Sequence, residues 1–229
     1  MTELVQLMSQ NSFGYGSWDA PFWFIGPEQG GDRNEKRAKA FAELGHDVGH
    51  DGLCDCETFH EAIGESRWHH KPTKNAKLQS TWRRLLMLLM PAIQRGTDHL
   101  TLREYQSASW GKRSGETCVI ELCGLSARNF RDDIDRRSFR SNRTEKIKQR
   151  LERRMANISP PLKMVVMYGS GLKASWREIT GVEFEAGKIV GWRNVCLVFM
   201  NSPTAVGERD EDWKDAGARI AVQLGTAVR

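Results

Sequence analysis

Four short apolar runs punctuate the chain: Phe22–Ile25, Cys118–Leu122 (interrupted only by Glu121), Met164–Met167 and Val195–Phe199. Each is too short for a helix and reads as a buried strand. Each also ends in a loop with chemistry in it. The first runs into Gly26-Pro27-Glu28-Gln29-Gly30-Gly31, the second into Cys123-Gly124-Leu125-Ser126, the third into Tyr168-Gly169-Ser170-Gly171, and the fourth into Met200-Asn201-Ser202-Pro203-Thr204. Helical periods separate them. Asp32 opens a helix to about Leu44, with Asp32 and Glu35 spaced as a capping box and Gly45 as a stop. Leu78, Trp82, Leu85, Leu86 and Leu89 form one helical stripe that Pro91 ends or kinks. A long basic helix is predicted over 141–156, broken by Pro160-Pro161, and a short one over 173–179. A last helix over 209–224 turns Trp213, Ala216, Ile220 and Leu224 inward.

Residues 1–20 show no clear period, 46–70 are irregular and rich in His, Cys, Asp and Gly, and 101–116 are mixed, with turn signals at Gly111-Lys112 and Ser114-Gly115. Short strands alternating with helices predict an α/β fold, a three-layer αβα sandwich around a central parallel sheet of about four strands, as one domain over 1–229. Ligands of an open parallel sheet bind outside the carboxyl ends of its strands, so the four loops should converge on one crevice. Gly30 and Gly31 would let backbone approach a phosphate near the following helix start.

Composition sharpens this picture in three places. The chain has 229 residues and a formal charge of +5, but residues 128–154 alone carry eleven Lys/Arg against five Asp/Glu. That excess of six exceeds the total, so the positive charge is concentrated in one segment, either a solvated helix face or a surface that tracks phosphates. The opening residues lack a signal peptide's basic start and apolar middle, and no apolar run approaches a membrane span, so a soluble cytoplasmic protein is expected. Five cysteines in such a chain are expected to be reduced thiols.

The motifs resemble those of the uracil-DNA glycosylase superfamily. The resemblance is carried by Gly26-Pro27-Glu28-Gln29-Gly30, by Ile120-Glu121-Leu122, by Val165-Val166-Met167-Tyr168-Gly169, and by Asn201-Ser202-Pro203-Thr204-Ala205-Val206-Gly207, in that order across 20–225. It implies a DNA glycosylase-like hydrolase of base excision repair, acting on a flipped-out base in single- or double-stranded DNA as a monomer. It needs no cofactor, metal, membrane or obligate protein partner. Glu28 matches the sugar-side residue that positions or activates water, and Asn201 stands where the family usually has a His supporting the leaving base. Those two are the candidate catalytic residues. Gly26, Pro27, Gln29, Gly30, Gly31, Glu121, Tyr168, Ser202 and Thr204 are the candidate substrate contacts.

The chain departs from the family where Gln29 replaces a Pro, Glu121 an Asn and Asn201 a His. An ionised Glu121 only accepts hydrogen bonds, which suits an amino-bearing base edge better than uracil. The plainer roles stay open: a surface carboxylate for Glu28, an arginine ion pair for Glu121, a turn residue for Asn201. So does a binding module on the same fold that does not cleave. A third possibility is a metal-dependent hydrolase built on His46, His50, Asp51, Cys54, Cys56 and His60, although Cys-x-Cys is not a standard finger spacing and the five cysteines do not reproduce a four-cysteine iron–sulfur pattern.

Overall fold

The computed structural model describes residues 2–27, 34–44, 51–70, 77–125, 136–156 and 160–225, with backbone alone over 136–142. Glu3–Asn11 forms α1, capped by the Thr2 hydroxyl, and Gly14–Gly16 forms β1. β2 is Phe22–Gly26 and α2 is Asn34–Glu43. β3 (Leu53–Cys54) leads into α3 (Cys56–Ala62), whose first amides are capped by the Asp55 carboxylate. Next come α4 (Ser80–Ala92), α5 (His99–Ala108) and β4 (Thr117–Glu121). α6 (Arg136–Met155), β5 (Met164–Tyr168) and α7 (Lys173–Thr180) follow. β6 (Ile189–Trp192), β7 (Val195–Met200) and α8 (Asp210–Gln223) complete the order.

The seven strands make one mixed sheet in the order β3-β1-β4-β2-β5-β7-β6. This corrects the expected sheet of about four parallel strands. The four runs read from sequence are there as the neighbours β4, β2, β5 and β7, all parallel. β1 runs antiparallel to β4, and β6 antiparallel to β7. The added strands are too short or too exposed to announce themselves: β1 is Gly-Tyr-Gly, β3 has two residues, and β6 is only partly buried.

Alternation along the strands splits the core between two faces. Phe22, Phe24, Val119, Val166 and Val198 point to a face covered by α3, α4, α5 and α8. Trp23, Ile25, Ile120, Val165 and Leu197 point to the other, covered by α6 and α7. The helix over 141–156 begins earlier than expected, at Arg136, and residues 1–20 and 101–116 hold α1 and α5. All five cysteines are buried and none is in a disulfide. Among the described residues no helix is long and apolar enough to cross a membrane.

α4 and α8 pack closely because α8 carries a glycine where they cross. A Cβ on Gly217 would sit 2.4 Å from the Met87 carbonyl oxygen and 3.2 Å from Leu88 Cα. Gly217→Ala gains about 1 kcal/mol of helix propensity, but backbone must move to admit the methyl, at a cost of roughly 1–3 kcal/mol. Sterics should win. The expected result is a lower urea midpoint and a Tm reduced by about 2–4 °C for each net kcal/mol lost; an unchanged or raised midpoint would show that the helices separate freely.

Candidate functional site

The carboxyl ends of the parallel strands line up as a row. Gly26 pairs with Glu121 and Tyr168 with Met200, and the pairing of Ile25 with Met167 sets Gly26 beside Tyr168 one step further. The ladder continues past the strands, since Leu122 N–H donates to the Gly26 carbonyl (2.8 Å) and Cys123 N–H to that of Pro27 (2.7 Å). Gly26 is required there by close approach: a Cβ would lie 2.1 Å from the Tyr168 hydroxyl oxygen. The ring of Tyr168 therefore lies against the bare backbone of β2. Gly169, at φ +102°, turns the chain directly after it, donating to the Met200 carbonyl (3.0 Å) and accepting from Trp176 Nε1 (3.1 Å).

Glu121 is buried at the end of β4. Its carboxylate lies 3.7 Å from the Arg37 guanidinium of α2, which itself sits over the Phe59 ring at 5.5 Å. The ion pair left open by the sequence is present, so an incoming base would have to compete with Arg37 for this carboxylate. A second arginine fixes the backbone of the same strand end. Buried Arg143 donates to the carbonyls of Glu121 (2.6 Å), Leu122 (3.1 Å) and Ser9 (3.0 Å), with its guanidinium 4.4 Å from the Phe13 ring centroid. Burial lowers its pKa to about 10, so it stays a cation at neutral pH.

Those bonds orient α6. Arg143 meets the carboxyl end of β4, and Arg154 of the same helix donates to the Asp19 carbonyl (2.6 Å), just before β2 begins. α6 therefore runs against the parallel strands, and its first turns, 136–142, extend past their carboxyl ends. The sequence of that overhang includes Arg136, Arg137 and Arg140.

The loop after β7 is braced. Asn201 Nδ2 donates to Glu208 Oε1 (2.9 Å), and Glu208 Oε2 accepts from Trp213 Nε1 (2.8 Å). Arg84 of α4 donates to the carbonyls of Pro203 and of Glu208 (2.7 Å for the latter) and to the Asp210 carboxylate (3.1 Å). Ser202 and Thr204 hydroxyls lie 3.4 Å apart within the loop. At its tip, between these anchors, Val206 is fully exposed. A groove of about 480 Å³ opens beside Asn201, lined in part by Glu208, Asp212, Asp215 and Arg219. Its carboxylates oppose an anionic ligand.

The expected contacts thus divide. Gly26, Pro27, Glu121 and Tyr168 come together at the strand ends, and Asn201, Ser202 and Thr204 share the braced loop beyond Met200. Glu28, Gln29, Gly30 and Gly31 lie outside the described residues, as do Asp32, His46 and His50. Of the suggested metal ligands, Asp51 is bound by Arg113 (3.0 Å) and caps Leu53 N–H (3.2 Å), and Cys54 is buried in β3. Cys56 and His60 do come together, with His69, which the sequence reading passed over. Arg37, Arg143, Arg84 and Glu208 were also missed. Only the Cys56–His60 spacing of four on a helix was a signal available beforehand.

The chain matches no protein-family model, and a search of curated proteins finds no significant relative.

Proposed function

We propose that this protein is a DNA glycosylase-like hydrolase that cleaves the N-glycosidic bond of a flipped-out base, with its site at the carboxyl ends of β4, β2, β5 and β7. The observation that carries this reading is the meeting of Gly26, Glu121 and Tyr168 at the carboxyl ends of neighbouring parallel strands, where an open α/β sheet takes its ligand. Val206, one of several exposed apolar side chains, stands on the loop after β7 that Arg84, Asn201 and Glu208 brace. Proteins that kink duplex DNA insert apolar wedges between base steps, and extracting a base costs a few kcal/mol that such a wedge helps to offset. Tyr168 and Gly26 offer a flat wall for the extracted base, and the basic overhang of α6 gives phosphates a favourable approach.

In the reaction, water attacks the sugar C1′ as the C1′–N bond breaks. Its proton passes to the Glu28 carboxylate, and the bonding electrons leave with the base. Asn201 donates to that base through its amide. A cytoplasmic setting with reduced thiols fits this chemistry.

A second reading, a nucleic-acid-binding module without turnover, is favoured by the protein contacts that already occupy Glu121 and Asn201. Base release from DNA carrying uracil, hypoxanthine, xanthine or alkylated bases separates the two. The glycosylase releases at least one of them. Val206→Ala then slows release from duplex about tenfold, on the scale of the extraction cost, and leaves release from single strands unchanged. No release from any substrate, with salt-sensitive binding retained, supports the binding module instead.

A further inference from the structure

Away from the strand ends, α3 and the turn that follows it bring three soft or borderline donors together inside the protein. Cys56 and His60 lie four residues apart and so share one face of α3. His69 is delivered by the short 3₁₀ turn Ser66–Trp68. That turn is pinned by buried Arg103, which donates to the carbonyls of Trp68 (2.5 Å), Arg67 (3.1 Å) and His70 (2.8 Å), and by Gln106, which donates to Trp68 (2.9 Å). Cys56 is fully buried and both histidines are 7% exposed.

We propose that Cys56, His60 and His69 bind one tetrahedral divalent ion of the zinc type through a thiolate and two imidazoles. One ligating atom from each residue lies within 4.8 Å of the other two. Cys56 Sγ is 3.5 Å from His60 Nδ1 and 3.9 Å from His69 Nε2. A tetrahedral zinc with bonds of about 2.3 Å to sulfur and 2.0–2.1 Å to nitrogen holds sulfur and nitrogen about 3.5 Å apart. The two sulfur–nitrogen distances are thus already near ligand spacing. The set of one thiolate and two imidazoles suits zinc or cobalt over magnesium or calcium, which take oxygen ligands.

A packed core is the other reading of these residues. His69 Nδ1, on the far side of the ring from the Nε2 that faces Cys56, is buried with no hydrogen-bond partner among the described residues, and an ion bound through Nε2 leaves it so. His60 Nδ1 does have an alternative partner, the Cys56 carbonyl oxygen at 2.6 Å, and binding through that nitrogen exchanges the hydrogen bond for the ion. A catalytic Cys–His pair is disfavoured, because no substrate reaches a fully buried thiol. Tyr15 and Trp82, whose rings lie 5.3 and 5.4 Å from that of His60, wall the site. The three side chains fill three corners of the tetrahedron and leave one for a further donor.

Binding balances as Zn²⁺ plus the Cys56 thiol giving the zinc–thiolate and one proton, the imidazoles being neutral. The full-length protein, freed of metal by chelation and shown by circular dichroism to be folded, is titrated with Co²⁺ and then Zn²⁺ in weak buffer. We expect one equivalent bound, one proton released, a thiolate-to-cobalt charge-transfer band that zinc removes, and a raised Tm. Cys56→Ser abolishes the band and Cys54→Ser keeps it. Should Cys56→Ser fail to fold, X-ray absorption of the loaded wild type decides, showing one sulfur and two imidazoles around the ion. Folded wild type that binds neither ion, a coordination shell without sulfur, or a band that survives Cys56→Ser would overturn the site.

Discussion

Arg143→Met is expected to destabilise the protein by roughly 3–5 kcal/mol, the net of three buried carbonyls left without a donor and the relief of desolvating a cation. Methionine fills much of the same volume and keeps the apolar contact with Phe13. It cannot donate to the three carbonyls of Ser9, Glu121 and Leu122 that the guanidinium satisfies. Each buried acceptor left bare costs about 1–3 kcal/mol, so the loss of hydrogen bonds outweighs the relief from desolvating a cation. Arg143→Lys should fall between, because one ammonium cannot span three acceptors with the geometry of a planar fork. Urea unfolding measures both. A loss below about 1 kcal/mol for the methionine variant would mean that water replaces the guanidinium, and that the β4 end is not clamped as described.

Gly26→Ala is expected to leave the fold standing and to lower base-release activity about a hundredfold, the scale on which an ångström of misplacement acts. The new methyl needs the space that the Tyr168 hydroxyl and ring tip occupy. Tyr168 is the cheaper of the two to move, so its ring shifts away from the proposed base site while β2 keeps its register. Tyr168→Phe, which retains the ring and loses only the hydroxyl, should stay within a few-fold of wild type. Activity unchanged in Gly26→Ala would place the base elsewhere.

The sequence carried the sheet's centre and little of its rim. β2, β4, β5 and β7 were legible because strands buried on both faces read as unbroken apolar runs, bounded by glycine, proline and polar residues. Tyr15 gave no such signal, since a three-residue strand between glycines has no period to detect. Glu121 stood out as a charge inside an apolar run, and an arginine pair was one of the readings left open. Which of the chain's many arginines supplied it was not legible, because Arg37 reaches Glu121 only through the packing of α2 beside the sheet. Arg143 lay hidden for a related reason: in a segment this rich in cations nothing local distinguishes the one that turns inward. His69 joins Cys56 only because Arg103, far along the chain, gathers the 66–70 turn beneath α5. Val206 was visible within the last motif, but its exposure depends on the bracing of the loop by Arg84 and Glu208.

The most direct test of the proposed activity compares wild type with Glu28→Gln in single-turnover base release, on whichever damaged or unusual base the wild type excises, with DNA affinity measured in parallel. The account predicts release slowed by about 10²–10⁴, the range for losing a positioned acid–base group, with affinity for DNA held within a few-fold. Undiminished release by Glu28→Gln would contradict the assignment of that carboxylate to the sugar side of the scissile bond.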